Sequence, residues 1–178
     1  ASGFTPYDAS KLPHLGFGKS KDVVDQLGLE ALAKSANGGA IKRPSDGKEV
    51  KSVVFIQCAG QRSDKDGELP YCSGHCCNTS IKQAMYFKDQ NPDIDTVVMY
   101  TDLRTPGNGE DFYRSAQKKG VIFTKGVASE VVAGGELQVK FNDKILNEDA
   151  IAKADLVVLA TGMVANSGVD IDAVKQDE

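Results

Sequence analysis

Tryptophan is absent from this 178-residue chain, and aromatic residues make up only 7% of it. A core must therefore be built from Val, Ile, Leu and Ala. No apolar run approaches the roughly 20 residues that a spanning helix needs. The longest, such as Leu156-Val157-Val158-Leu159-Ala160, are strand-sized, so direct membrane insertion is not expected. The first dozen residues lack a basic start followed by an apolar stretch, so no signal peptide is visible, and a cytoplasmic setting is expected. Basic surplus is missing too. The net charge is -4 with Lys and Arg scattered, which excludes a nucleic-acid footprint.

What is present is globular. Hydrophobic residues at 40% and charged residues at 26% suit one soluble domain of this length. Residues 1–50 are rich in turn formers (Pro6, Pro13, Gly16, Gly18, Gly38, Gly39, Pro44, Gly47) around one helical stretch at 20–34. They read as a connecting arm. From residue 51 the texture changes to short β-branched runs, at 52–57, 96–100, 121–123 and 155–160, which are signatures of buried strands. Helices are expected at 80–89, capped by Asn78 or Thr79 and ended by Pro92, and at 110–119, stopped by Gly120. Residues 126–147 alternate through Leu137, Val139 and Phe141, with turns at Gly134-Gly135 and Asn142-Asp143, as in a β-meander. The layout predicts an α/β, Rossmann-like three-layer domain over 51–163. Its sheet would be largely parallel, with helices on both faces, and residues 164–178 would form an exit segment.

A dinucleotide site in such a fold needs G-x-G-x-x-G directly after the first strand. Here that strand runs into Gln57-Cys58-Ala59-Gly60-Gln61-Arg62, where only Gly60 remains. The chain's four cysteines follow instead, as Cys58, Cys72, Cys76 and Cys77 in the pattern C-x13-C-x3-C-C. Cys58 leaves the carboxyl end of a strand, where α/β folds place ligands. Cys72, Cys76 and Cys77 precede a helix N-terminus, whose partial positive charge favours thiolates. Adjacent cysteines bond to each other only with strain, and secreted scaffolds disperse their cysteines. An iron–sulfur cluster, a zinc site, a redox disulfide and inert buried thiols all remain open from the residues alone. His75 is a candidate to replace one ligand or to bond a sulfur. Arg62 and Lys82 are candidates for compensating charge, although solvated surface charge is the plainer reading for both. Asp102 lies too far from the strand end for a ribose-binding acid and reads as a loop residue.

Val54-Phe55-Ile56-Gln57-Cys58-Ala59-Gly60-Gln61-Arg62, Pro70-Tyr71-Cys72-Ser73-Gly74-His75-Cys76-Cys77 and Ile81-Lys82-Gln83-Ala84 together resemble the A-subunit family of heterodisulfide reductase. So do Arg43-Pro44-Ser45-Asp46-Gly47-Lys48, Phe112-Tyr113 and the run from Ala154 to Met163. The resemblance implies an anaerobic iron–sulfur flavoprotein with a thioredoxin-reductase-like fold, of which this chain matches the NAD(P)-domain-like insertion. It implies that Cys58, Cys72, Cys76 and Cys77 hold one 4Fe-4S cluster passing electrons between flavin and partner subunits. FAD would belong to the intact parent chain, since this chain carries neither an FAD-binding glycine motif nor a ferredoxin-type cysteine run. The ends, Ala1-Ser2-Gly3-Phe4 and Ala160-Thr161-Gly162-Met163, resemble the exit and return turns of such an insertion. Thr161 and Gly162 are on that basis the flavin-contacting candidates. Expected partners are the remainder of the FAD-binding parent chain and other heterodisulfide-reductase-like subunits. No acid, base or nucleophile is assigned, so the segment is not expected to catalyse alone. The rival functions are a structural zinc-binding docking domain and a dithiol redox switch.

Overall fold

Runs of β-branched residues without a polar face can only be satisfied between two covering layers, and that is where the computed structural model places them. It describes residues 3–167. Ala1 and Ser2, and residues 168–178 of the expected exit segment, lie outside the described residues. In chain order the elements are β1 (Phe4–Pro6), β2 (Val23–Asp25), α1 (Gln26–Ala36), β3 (Ser52–Ala59), α2 (Cys76–Gln90) and β4 (Asp95–Tyr100). They continue with α3 (Gly109–Lys118), β5 (Ile122–Val132), β6 (Leu137–Asp143), β7 (Glu148–Ala154), β8 (Leu156–Thr161) and β9 (Met163–Ala165). Seven strands form one sheet in the order β2-β8-β3-β4-β5-β6-β7, parallel from β2 to β5 and antiparallel from β5 to β7. β1 and β9 pair as a separate antiparallel ribbon.

The two faces of this sheet are covered differently. Val53, Phe55, Leu156 and Val158 pack with Leu29 of α1, with Ile81, Ala84 and Phe87 of α2, and with Ala116 of α3. Val54, Ile56, Val157 and Leu159 meet Tyr7, Leu12 and Leu15 of the N-terminal segment and Val131, Leu137, Val139 and Phe141 of the meander. The expectation of helices on both faces is thus corrected. All three α-helices share one face, because the connection from β5 to β8 is made by strands, which curl back over the other. No helix among the described residues is long and apolar enough to cross a membrane.

Three boundaries differ from the sequence reading. Val23 and Val24 do not open a helix but join the sheet edge beside β8. α1 starts after Asp25, whose carboxylate accepts from Gly28 N at 2.7 Å as an N-cap. The segment read as a connecting arm with one helix thus also contributes β2 to the seven-stranded sheet. α2 begins at Cys76 rather than residue 80, with His75 at the N-cap position making no side-chain capping bond. Gln26 ties α1 to the first turn of α2 by donating to the Cys76 carbonyl at 3.0 Å and to Ser80 Oγ at 2.9 Å. At the amino ends of β2 and β8, buried Asp22 receives Ser45 N, Ser45 Oγ and Arg43, and Arg43 also reaches Asp155. The Arg43–Lys48 stretch thus braces the end of the sheet opposite the cysteines.

Two consequences are measurable. Gly60 adopts φ 70°, and a Cβ there would overlap the buried Tyr7 ring, at 2.9 Å from its Cδ1. Gly60→Ala is expected to lower the unfolding free energy by about 2–4 kcal/mol in urea denaturation, combining left-handed backbone strain with overpacking. In the turn after β6, Asp143 accepts from Ile145 N at 2.8 Å and Leu146 N at 3.0 Å, which holds its carboxyl below the ordinary value of 3.8. A depressed folded-state value stabilises above the ordinary titration and fades as pH falls through the depressed one. The stability gap between wild type and Asp143→Ala, followed by urea midpoints, should be widest above about pH 4 and narrow on acidification.

Candidate metal centre

The thirteen residues between Cys58 and Cys72 form a loop closed at its base, and this closure makes the split cysteine spacing work. Leu69 N donates to Gly60 O at 2.9 Å, Ser63 N to Leu69 O at 3.2 Å, and Arg62 N to Tyr71 O at 3.2 Å. Tyr7 fills the base with its ring and donates its hydroxyl to Gly67 O at 2.7 Å. The chain that leaves β3 just past Cys58 therefore returns at Cys72, within electrostatic reach of Cys58. Cys58 itself lies in an irregularity of the β3–β8 register between Ile56 and Ala59, where a bulge re-aims side chains at a strand end. Cys76 and Cys77 occupy the first turn of α2 and are buried, while Cys58 and Cys72 are half-buried. All four are free thiols.

The four sulfurs lie within electrostatic reach of one another. Burial pushes the Cys58 thiol up to about 11, the neighbouring Cys77 adds to that, and Arg62 opposes it. Burial also raises Cys76 and Cys77 above the ordinary thiol value, partly offset by the Gln61 side chain at Cys76 and by the Arg104 backbone N–H at Cys77. Desolvation is the largest influence on all three of these thiols. Cys58, Cys76 and Cys77 are therefore protonated near neutral pH without a cation to replace the proton.

Several N–H groups point at the sulfurs. Gln61 Nε2 donates to Cys76 Sγ at 3.0 Å, Arg104 N to Cys77 Sγ at 3.4 Å, and Gly74 N to Cys72 Sγ at 3.4 Å. Cys76 Sγ in turn donates to Thr161 O at 3.3 Å. Most buried polar atoms lacking a partner among the described residues belong to residues flanking the cysteines, namely Gln57, Arg62, His75 and Asn78. Buried orphans of this kind mark a place where a further group completes the polar balance. The donor set is thus chemically suited to a thiolate-bound metal. Among the described residues, however, no three His, Cys, Asp or Glu side chains are grouped to hold a single metal ion.

The other sequence candidates separate here. Arg62 joins the site, pairing with Asp102 at 2.7 Å while its charge acts on Cys58, so Asp102 anchors the arginine and is not an idle loop residue. Lys82 is bound to Glu30 at 2.7 Å. His75 contacts Thr79 Oγ1 at 3.3 Å through Nδ1 and lines a cavity of about 160 Å³ with Phe4, Leu27 and Met163, and burial lowers its basicity. Thr161 and Gly162 face the cysteine loop. A Cβ on Gly162 would stand 2.6 Å from Ser73 Oγ and 2.8 Å from Gln61 Oε1. Ser73 Oγ accepts from Met163 N at 2.8 Å, and Tyr71 donates to Met163 O at 2.9 Å. Gln61 and Ser73 escape sequence reasoning. Their only signal is their place inside the two cysteine-bearing segments.

No protein-family model matches this chain. Among curated proteins it is 41% identical over 175 residues to the first iron-sulfur A-subunit of CoB–CoM heterodisulfide reductase from Methanopyrus kandleri, covering 93% of this chain and 26% of that protein. Over 176 residues it is 35% identical to the A-subunit of the H(2):CoB-CoM heterodisulfide,ferredoxin reductase from Methanothermobacter marburgensis, covering 96% of this chain and 27% of that protein. The chain is homologous to one segment of the heterodisulfide reductase A-subunit. It spans about a quarter of the length of these relatives. Among solved structures, the thioredoxin reductase of T. acidophilum superposes with a TM-score of 0.51 at 14% identity, over 93% of this chain and 43% of that one. This likeness bears out the Rossmann-like α/β fold expected from the sequence.

The tight Gly162 contact generates a prediction. Gly162→Ala should push Ser73 and Gln61 away, open the cysteine loop, and raise the rate at which a thiol reagent labels metal-free Cys76 by about tenfold, since burial of that thiol is what protects it. An unchanged labelling rate, read by mass spectrometry of the Cys76 peptide, would show that the contact does not shield it.

Proposed function

We propose that this chain is an electron-transfer module of a heterodisulfide-reductase-like oxidoreductase, with Cys58, Cys72, Cys76 and Cys77 holding one 4Fe-4S cluster. The observation that carries this reading is the closed 60–71 loop, which returns Cys72 to Cys58 beside the first turn of α2. When bound, the cluster supplies one-electron chemistry without proton transfer. The chain's own residues supply four sulfur ligands, N–H donors from Gln61, Gly74 and Arg104, and the Arg62 charge, which offsets the anionic centre. A lone zinc about 2.3 Å from each sulfur would require thiols within about 4 Å of each other. The four cysteines match in number the four-thiolate set that a 4Fe-4S cluster takes.

In the parent protein the electrons would pass between FAD and other heterodisulfide-reductase-like subunits, in an anaerobic cytoplasm. The return turn at Thr161-Gly162 is where flavin would be approached. Within this segment its contacts brace the cysteine loop.

Anaerobically prepared protein is expected to be brown, to contain about four irons and four sulfides per chain, and to give an electron paramagnetic resonance signal after dithionite reduction. Cys58→Ser should abolish or reshape that signal. An unaltered signal in this variant would remove Cys58 from the ligand set. A colourless protein with one zinc would favour a docking domain, and reversible thiol oxidation without metal a dithiol switch.

A further inference from the structure

Gln61 is 3% exposed, and both ends of its amide are engaged. Oε1 accepts from Ser73 N at 3.1 Å, and Nε2 donates to Cys76 Sγ at 3.0 Å and to Ala160 O at 3.3 Å. A backbone N–H can only donate and a backbone carbonyl can only accept, so Ser73 and Ala160 together fix the amide's orientation. The NH₂ end must face the Cys76 sulfur. Gly162, which has no side chain, leaves the room in which this amide sits. The arrangement is rigid on every side, since Ala160 belongs to the fully buried β8 and Cys76 to α2.

We infer that Gln61 is a positioning residue that sets the reduction potential of the proposed cluster, through its Nε2–H bond to the Cys76 sulfur. The inference rests on the proposed function. One-electron reduction by dithionite adds one negative charge, shared among irons, sulfides and ligating sulfurs. No bond to the protein breaks and no proton moves. A donor dipole held against one of those sulfurs stabilises the reduced form more than the oxidised one, and more so in a buried setting than in water. Its partners are preorganised, so little reorganisation accompanies the electron.

The test is a mediated redox titration of the anaerobic, metal-loaded protein, followed by electron paramagnetic resonance. It compares wild type with Gln61→Leu, which removes the donor, and Gln61→Glu, which puts acceptor oxygens against the sulfur. The reduction equilibrium should fall about tenfold in Gln61→Leu, which is about 59 mV for one electron, and further in Gln61→Glu. A purely bracing side chain would not produce that ordering. Wild-type potentials in both variants, or a rise in either, would overturn the inference while leaving the cluster assignment standing. Absence of any iron–sulfur signal in the wild type would overturn the assignment itself, and this inference with it. Should neither variant assemble a cluster, pulsed resonance on reduced wild type carrying amide-¹⁵N glutamine decides the matter. A ¹⁵N coupling to the electron spin is expected, and its absence refutes the contact.

Discussion

Closure of the 60–71 loop is the constraint on which the site depends. A chain leaving the carboxyl end of a parallel strand ordinarily enters a helix within a few residues, and in nucleotide-binding folds that short turn wraps a diphosphate. Here the turn is replaced by a loop whose two ends are hydrogen-bonded to each other and seated on the Tyr7 ring. The left-handed Gly60 permits this close approach. Without that closure, Cys58 and Cys72 would be separated by a segment long enough to hold them far apart, and the first turn of α2 would carry two buried thiols with no companions.

Electrostatics at the site is a contest that burial wins. A helix N-terminus and a guanidinium both favour thiolates, yet Cys58, Cys76 and Cys77 are raised because their sulfurs are removed from water. Such a pocket is unfavourable for anionic sulfur that has no cation beside it. The N–H groups of Gln61, Gly74 and Arg104 then take part in adjusting how much charge the site tolerates. The orphaned polar atoms on Gln57, Arg62, His75 and Asn78 belong to the same balance.

The fold is largely legible in the pattern of residues. Val53–Ile56, Val97–Met99 and Leu156–Leu159 lack polar alternation and form buried parallel strands, while Leu137, Val139 and Phe141 alternate and form a meander strand with one face inward. Less legible is anything set by distant neighbours. Val23 and Val24 have helical spacing from Leu27, but the open edge of β8 captures them. Cys76 and Cys77 are poor helix starters with no capping side chain before them, and the Cys76 carbonyl is held by Gln26, some fifty residues earlier.

By itself the sequence determined that four sulfurs follow a strand end in place of a phosphate loop, because residue identity and local periodicity are enough to show both. Only the tertiary structure decided that all three α-helices share one face, and that Arg62 is tied to Asp102. It alone decided that Gln61 and Gly162 press against the cysteine loop. Those outcomes turn on contacts between segments that lie far apart in the chain, and no local pattern encodes which distant side chain will fill a given space.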